Sequence, residues 1–283
     1  MTKEKNRDAT SFLLPLQLWI GKTLFGEVGP HGVRVSPGRM IKGPCPASEL
    51  AALKYVAEHT SVPVPRVFNA HYYQNDLYIE MEFIRGMNLG MAWGKDHISQ
   101  EQKKSIIIEV AGYISQLRKL KPPREGIVAS ASLGALMDHR VGSYVFGPFT
   151  SHEGFHTYLR ANLRIEDCDK SFCPEVTECH TCQYRSCFTH ADLAPRNIMI
   201  HNGKVSAIVD WQFGGWYPEY WEYTKAHYGQ TNRSEWYRGL EANMERYDTE
   251  FKAEQALWEK LDDPQFRWRG YEHLIPDLLS IEI

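Results

Sequence analysis

The amino-acid sequence predicts an α+β fold of two lobes, with a small β-rich N-terminal lobe over residues 1–84 and a larger, mainly helical C-terminal lobe over residues 85–283. Short strand-like runs separated by turn residues occupy much of the first lobe. Later segments repeat apolar residues at helical spacing. A chain of 283 residues is also long enough for two lobes that share a cleft.

The N-terminal lobe is predicted to contain a small sheet and one helix. Residues 33–35 and 39–42 flank the turn Ser36-Pro-Gly38 and predict a hairpin. Residues 48–59 place apolar side chains on one face and precede a proline-containing stretch, which predicts a helix with a defined end. Two further strands are predicted over residues 67–73 and 77–84, around a short polar turn.

The C-terminal lobe is predicted to be largely helical. Ser99 and Gln102 have the spacing of a capping box and open a helix whose apolar face extends to Leu117. A shorter helix is predicted over residues 155–164 and a long one over residues 235–261.

Composition and charge argue against some partners. A net charge of -3 gives no electrostatic reason for binding nucleic acid or a membrane surface. No apolar run reaches the roughly 18 residues that a transmembrane helix needs. The apolar stretch 12–20 is broken by Pro15 and Gln17 and lacks a small-residue cleavage site, so we expect a cytoplasmic protein rather than an exported one.

The most informative segment is the string HADLAPRN at residues 190–197, followed by IVDW at residues 208–211. The residues between these strings predict two short strands joined by a tight turn at Asn202-Gly203. Because a hairpin returns the chain to its starting point, we expect Asp210 to lie beside Asn197.

Three side chains of this segment suit phosphoryl transfer. The reaction needs a carboxylate that orients and deprotonates the attacking hydroxyl, and oxygen ligands that hold Mg²⁺ on the ATP phosphates. Asp192 suits the first task, and Asn197 and Asp210 suit the second. Asp and Asn are also common in turns, but the complete string in its hairpin context favours the catalytic interpretation.

Lys42 and Glu49 are candidates for the nucleotide phosphates. Lys42 ends a predicted strand, where it could neutralise the phosphates, and Glu49 at the start of the next helix could pair with it. The alternative is a solvated lysine and a carboxylate placed favourably at a helix N-terminus; the downstream string favours the phosphate role. A phosphate-covering loop is less clear, because the glycines 26, 29 and 32 lack the G-x-G-x-x-G spacing and suit turns equally well.

The segment that joins the two lobes is a candidate for binding the nucleotide base. It begins at Glu82, and the free backbone groups of such a connection, at Ile84 for example, suit the edge of an adenine ring. Met81 precedes it and could form one wall of the pocket. Packing inside the sheet explains this side chain equally well.

Five of the six cysteines precede the central string. Cys179 and Cys182 form a C-x-x-C pair, and Cys173 and Cys187 lie on either side, which makes a structural Zn²⁺ site one hypothesis. The spacing is irregular and no second C-x-x-C occurs. A surface loop with reduced thiols is therefore favoured over zinc, and a disulfide is the third alternative.

Taken in order, these motifs resemble the aminoglycoside phosphotransferase (APH) family, which has the protein-kinase-like fold. The fungal branch is the most similar, on the strings TSVPVPR at residues 60–66, GPF at 147–149 and YPEYWEY at 217–223. The resemblance implies a two-lobed kinase-like fold, ATP and Mg²⁺. It also implies roles for four residues: Asp192 as the catalytic base, Asn197 and Asp210 as metal ligands, and Lys42 as the phosphate-binding lysine.

The departures from protein kinases indicate a small-molecule substrate. Ala191 occupies the position where protein kinases usually have an arginine that receives an activation-loop phosphate, and Trp211-Gln212 follows the metal-binding Asp. Only a few residues separate Asp210 from Tyr217, which leaves no room for a long activation loop. We therefore expect an ATP-dependent kinase of a small hydroxylated compound; choline or ethanolamine kinase, protein kinase and a nucleotide-binding pseudokinase or scaffold are the alternatives.

The acceptor itself is not defined by the sequence pattern, since a fold outlives changes of substrate. Glu219, Glu222 and Asp248 could line an acidic pocket, although a solvated helix face explains such carboxylates better. Tyr217, Tyr220 and Trp221 suit the core better than a substrate platform.

Overall fold

The computed structural model describes residues 13–94, 97–228 and 235–261, the side chain of Ser143 excepted. The described part leaves out residues 1–12 of the predicted N-terminal lobe and residues 262–283 of the predicted C-terminal lobe. The first residue of the apolar stretch 12–20 is therefore also outside it. The N-terminal part consists of α1 (Leu14–Leu24), β1 (Glu27–Val28), β2 (Gly32–Ser36), β3 (Arg39–Cys45), α2 (Ala47–His59), β4 (Val67–Tyr73) and β5 (Asp76–Glu82).

The five N-terminal strands form one antiparallel sheet in the order β1-β2-β3-β5-β4. Both predicted hairpins are confirmed, and Gln74 and Asn75 make the second turn with positive φ angles of 52° and 72°. Helix α2 buries Ala52, Leu53 and Val56 in the apolar cluster that contains the inner side chains of β5. Complete burial of a side chain the size of Leu53 or Val56 contributes about 1.5–3 kcal/mol to stability.

The C-terminal part is mainly helical, with short strands between the helices. It consists of β6 (Met87–Asn88), α3 (Leu89–Gly94), α4 (Gln100–Leu117), β7 (Ala129–Ser130), β8 (Leu136–Asp138), β9 (Gly142–Phe146), α5 (His152–Leu159), α6 (Cys168–Ser171), α7 (Pro174–Thr181), β10 (Ser186–Thr189), β11 (Ile198–His201), β12 (Lys204–Ile208), β13 (Gly215–Pro218), α8 (Trp221–His227), α9 (Glu235–Glu241) and α10 (Asp248–Lys260). The predicted α+β fold, with its β-rich N-terminal and helical C-terminal regions, is thus observed, whereas the boundary at residue 84 stays a prediction. The N-terminal region has two helices rather than the one predicted, because Pro15 lies in the first turn of α1, where a proline is tolerated.

The capping box predicted for α4 is confirmed. The Ser99 hydroxyl accepts a hydrogen bond from the Gln102 amide, and the Gln102 side chain accepts one from the Ser99 amide. Two otherwise unpaired amides at the helix start are satisfied in this way. The predicted inner face, from Ile106 to Leu117, is buried.

Two predicted helices have different bounds. The helix predicted over residues 155–164 spans His152–Leu159, because Ala161 and Asn162 adopt positive φ angles of 51° and 62° and end it. The long helix predicted over residues 235–261 is two helices, α9 and α10. The side-chain amide of Asn243 donates to the carbonyl of Gly239 over 2.8 Å and satisfies the end of α9.

Two small sheets position the loops of interest. One has the order β12-β11-β6 and the other the order β10-β13-β7. The predicted hairpin of β11 and β12 is confirmed, and its central residues Asn202 and Gly203 have φ angles of 50° and 74°, as a type I′ turn requires. Within the described ranges, no helix is both long and apolar enough to cross a bilayer.

Candidate active site

The loop between β10 and β11 is fixed by a buried histidine. The amide of Asp192 donates to Nδ1 of His190 over 3.2 Å, so the ring proton lies on Nε2 and is donated to the carbonyl of Val209, 3.1 Å away. Burial lowers the pKa of His190, which keeps the ring neutral. His190 therefore connects the backbone of Asp192 to the residue that precedes Asp210.

A carboxylate of helix α8 holds the same loop from the other side. Glu222 accepts hydrogen bonds from the amides of His190, at 2.6 Å, and Ala191, at 3.2 Å. Ala191 has a φ of 63°, a left-handed conformation that costs energy for a residue with a side chain. Burial raises the pKa of Glu222 to about 7, although the two amide hydrogen bonds oppose this shift. Glu222 is thus a structural part of the loop.

The carboxylate of Asp192 is held by its own loop and borders a cavity. Its Oδ2 accepts a hydrogen bond from Asn197 Nδ2 over 2.8 Å. Arg196 Nη2 lies 2.6 Å from Oδ1 and 2.8 Å from Oδ2. The cavity has a volume of about 230 Å³ and is also lined by Arg196, Lys225, Tyr228 and Tyr237. Asp192 therefore presents a fixed carboxylate to a space that can hold a small molecule.

Asn197 and Asp210 lie side by side, as the predicted hairpin requires. The amide of Val209 donates to the carbonyl of Asn197 over 2.8 Å. Both hydrogen bonds from Asn197 Nδ2 go to Asp192, so in the described part of the chain its Oδ1 accepts none. This amide oxygen and the half-exposed carboxylate of Asp210 are the hard oxygen donors that Mg²⁺ prefers. The residues present therefore fit a Mg²⁺ site.

Lys42 connects the N-terminal sheet to this hairpin. Its ammonium group lies 2.6 Å from Glu49 Oε1 and 2.7 Å from Asp210 Oδ1. Burial disfavours the charge, but the carboxylates of Glu49 and Asp210 outweigh it and raise the pKa of Lys42. A permanent positive charge thus lies where β3 meets the predicted metal ligands, and Lys42 is not a solvated strand-end lysine.

The three N-terminal glycines lie around the edge strand β1 and at the start of its neighbour β2. Gly26 and Gly29 have φ angles of 84° and 65°, which fits them for the turns on either side of β1. A Cβ atom on Gly32 would lie 2.4 Å from the carbonyl oxygen of Val28. Turn geometry and close packing account for all three glycines, and a phosphate-covering role stays a prediction.

The connection after β5 offers unpaired backbone groups at Ile84, whereas the amides of Glu82 and Phe83 are already hydrogen-bonded. Met81 is buried in the sheet core, which agrees with packing, while the exposed Glu82 bonds the backbone of Arg66 through its amide and its side chain. The connection continues without regular structure through Ile84, whose amide and carbonyl bond to no described residue. Such unpaired backbone groups suit a nucleotide base, so the predicted role of this segment stands as a proposal.

The expected acidic pocket is not formed by the three carboxylates suggested for it. Glu222 is buried under the loop, Glu219 pairs with Arg185 and Asp248 pairs with Arg246. The prediction that Glu222 belongs to a solvated helix face was wrong, because its carboxylate is needed by two buried amides. The aromatic residues of the same string, Tyr217, Tyr220 and Trp221, are buried in the core as expected.

The zinc hypothesis is not supported by the arrangement of the cysteines. Cys179 is buried in α7 and Cys187 in β10, while Cys182 is exposed and Cys173 precedes α7. In the ranges that the structure describes, no three Cys, His, Asp or Glu side chains lie close enough to hold a metal ion. All six cysteines are free thiols, which also excludes the disulfide. The segment is not a loop, because its residues form α6 and α7.

Comparisons with known proteins agree with this architecture. Aminoglycoside phosphotransferase APH(2″)-IIIa in complex with GDP and kanamycin has a TM-score of 0.58 and 14% identity, over 94% of this chain and 93% of that chain. ADP-bound APH(2″)-Ib has a TM-score of 0.55 and 14% identity, over 95% of both chains. The apo form of a thermostable APH(4)-Ia mutant has a TM-score of 0.55 and 14% identity, over 83% of this chain and 80% of that chain.

At such low identity these structures show a shared fold, the protein-kinase-like fold of the aminoglycoside phosphotransferases. The comparison with curated protein sequences returns no match. The family model described as the phosphotransferase enzyme family, APH, matches residues 46–263, which include α2, the loop that carries Asp192 and the hairpin that ends at Asp210. The chain belongs to the APH family of phosphotransferases.

Proposed function

We propose that this phosphotransferase is an ATP-dependent kinase that transfers the γ-phosphoryl group to a hydroxyl group of a small molecule. One observation carries the proposal: Lys42 lies 2.7 Å from Asp210, 168 positions later in the chain, and the hairpin of Asp210 is bonded directly to the loop of Asp192. A phosphate-binding cation, two metal-ligating oxygens and a carboxylate base thereby form one connected group.

Each residue of the group has a distinct role in the proposal. Lys42 binds the α- and β-phosphates, while Asn197 Oδ1 and Asp210 hold Mg²⁺, which neutralises the charge on the nucleotide. Asp192 orients the acceptor hydroxyl and takes up its proton. The backbone of Ile84 binds the nucleotide base, with Met81 behind it and Glu82 at the start of the connection. The GDP and ADP complexes of the similar structures support nucleotide binding by this chain.

A small acceptor is favoured by the length of the chain after Asp210. Strand β13 begins at Gly215, so only four residues separate it from the metal ligand. A segment this short cannot form the long activation loop on which protein kinases bind a peptide. The kanamycin complex of APH(2″)-IIIa supports a small hydroxylated acceptor.

The test combines nucleotide binding with turnover. Titration calorimetry would measure ATP and GTP binding with and without Mg²⁺, for the native chain, for Asp210→Asn and for Asp76→Asn, an exposed position at the start of β5 that serves as the control. We expect Mg²⁺-dependent ATP binding that only Asp210→Asn removes. ADP release would then be followed with hydroxylated metabolites, aminoglycosides and choline. Binding without any turnover would identify a pseudokinase, and unchanged Mg·ATP affinity in folded Asp210→Asn would refute the metal site.

A further inference from the structure

The cavity beside Asp192 has an unusual charge for a site that would take an aminoglycoside. Of the described residues that line it, Asp192 is the one acidic side chain, whereas Arg196 and Lys225 are cationic. Lys225 is paired with the buried Asp138 at 2.6 Å. The remaining walls are Leu193, Ala194, Ala226, His139, Tyr228 and Tyr237. Because Asp138 compensates the charge of Lys225, a polycationic acceptor would meet the cation of Arg196 here and a single carboxylate that must also act as the base.

The size of the cavity points to a small acceptor. Its volume of about 230 Å³ lies below the roughly 300–1,000 Å³ that is typical of pockets for drug-sized ligands. Two tyrosines and three aliphatic side chains give it a partly apolar wall. An acceptor of a few carbon atoms fits this space better than an oligosaccharide does.

The contacts of Arg196 show how an anionic acceptor would be recognised. Asp192 Oδ2 keeps a hydrogen bond from Asn197, whereas Oδ1 is contacted by Arg196 alone among the described residues. The Arg196 side chain is 58% exposed, so its ion pair with Asp192 is screened by water and contributes little energy. A carboxylate that binds Arg196 would release Oδ1 and leave Oδ2 in place. The released oxygen is then free to accept the hydroxyl proton.

We propose that the acceptor is a small hydroxy compound that carries a carboxylate or a similar anionic group, and that Arg196 binds this group. The proposal rests on the kinase function proposed above. It makes Arg196 a specificity-determining residue: the anion of the acceptor replaces Asp192 as its partner, and binding of the correct acceptor thereby frees the base. The proton moves from the acceptor hydroxyl to Asp192, and the oxygen forms a new bond to the γ-phosphorus as the bond to ADP breaks.

Matched compounds test the charge requirement. ADP release and binding to the Mg·ADP-loaded protein would be measured for D-glycerate, L-homoserine, shikimate and D-gluconate, for the amide of each acid, and for kanamycin. We expect turnover or binding with at least one free acid, with its amide weaker by roughly tenfold to a hundredfold, since a hydrogen bond to a charged group is lost. Phosphorylation of kanamycin or of the amides in preference to the acids would overturn the proposal and leave the kinase function standing.

Variants of Arg196 test whether this side chain binds the anionic group of the acceptor. Arg196→Gln should raise KM for the free acid by a similar factor while kcat changes little, and Arg196→Lys should recover part of the loss. KM for the amides, which lack the charge that Arg196 binds, should change with neither variant. Arg164→Gln, at a largely exposed arginine that pairs with Asp167 outside the cavity, is the control. An unchanged KM in Arg196→Gln would overturn the role of Arg196. Failure of every acid to bind a protein that still binds Mg·ATP would overturn the proposal, whereas loss of Mg·ATP binding itself would refute the kinase function.

Discussion

The carboxylate of Glu222 accepts a hydrogen bond from the backbone amide of His190 over 2.6 Å, and helix α8 thereby supports the loop of the proposed base. Glu222 is buried and its second oxygen accepts from Ala191. One carboxylate satisfies two amides that would otherwise be buried without partners. The position of Asp192 therefore depends on a buried residue that does not line the cavity beside it.

This relationship predicts a dependence of stability on pH. Burial raises the pKa of Glu222 to about 7, whereas an unfolded Glu titrates near 4.3. Protonation of Glu222 therefore favours the folded state; this contribution is complete below the unfolded pKa and is lost as the pH rises to about 7, by up to roughly 3–4 kcal/mol. Urea unfolding from pH 4.5 to 8 should show this fall in the free energy of unfolding with pH, both in the native chain and in the exposed control Glu58→Gln. Glu222→Gln should be less stable at pH 5, and its free energy of unfolding should depend less on pH, by the equivalent of about one proton. An unchanged pH dependence in Glu222→Gln would show that another group causes the effect.

Lys42 is predicted to have a structural role that can be separated from its phosphate role. Lys42→Met leaves Glu49, which is 1% exposed, without its charged partner. We expect a loss of about 3–5 kcal/mol in the free energy of unfolding, which is typical when one member of a buried pair is removed. Adding Glu49→Leu should restore most of the stability but not the affinity for Mg·ATP. Recovery of nucleotide binding in the double variant would show that Lys42 serves the fold alone.

Asp192→Asn is predicted to separate turnover from binding. The substitution keeps an oxygen for the hydrogen bond from Asn197 but removes the proton acceptor. We expect kcat to fall by on the order of 10² or more, with the calorimetric affinity for Mg·ATP unchanged. Unfolding curves that match those of the native chain would exclude a folding defect. Retained turnover would identify another residue as the base.

The parts of the site that the sequence predicts are those set by local geometry. The Asn202-Gly203 turn defines the register of β11 and β12, and this register alone brings Asp210 beside Asn197. Capping of α4 is equally local, since Ser99 and Gln102 are three residues apart. Interactions within a hairpin or a single helical turn can be predicted without knowing the tertiary structure.

The parts that the sequence does not predict depend on contacts between distant segments. Glu222 is buried because α8 packs under a loop more than thirty residues earlier, and polarity alone suggested an exposed position. The cysteine segment is helical because α7 packs against α10 and buries Cys179, a contact that no short spacing reveals. His190 belongs to the string HADLAPRN, but the ring nitrogen that carries its proton is determined by hydrogen bonds that only the folded chain forms.

The free thiols predict a simple pattern of reactivity. Cys182 is exposed, whereas Cys168, Cys179 and Cys187 are buried and burial raises the pKa of each thiol. A thiol-specific chromogenic reagent should therefore modify Cys182 first in the folded chain, and the three buried thiols only after denaturation. Cys182→Ser should remove the fast phase. Elemental analysis should find less than about a tenth of an equivalent of zinc; a full equivalent would revive the metal hypothesis.

Gly86 is predicted to be essential to the junction between β5 and β6. Its φ is 121°, and a Cβ atom at this position would lie 2.1 Å from the carbonyl oxygen of Ile200 in β11. Because β11 follows Asn197 directly, Gly86→Ala should strain the backbone beside the proposed metal ligand and lower the free energy of unfolding by about 2–4 kcal/mol. Gly112→Ala is the matched control in α4, where nothing lies within 4 Å of the added atom, and should be neutral or stabilise by up to about 1 kcal/mol. Equal urea midpoints for the two variants would show that the backbone around β6 adjusts to the added methyl group without a loss of stability. The junction would then not be needed to position the hairpin of β11 and β12.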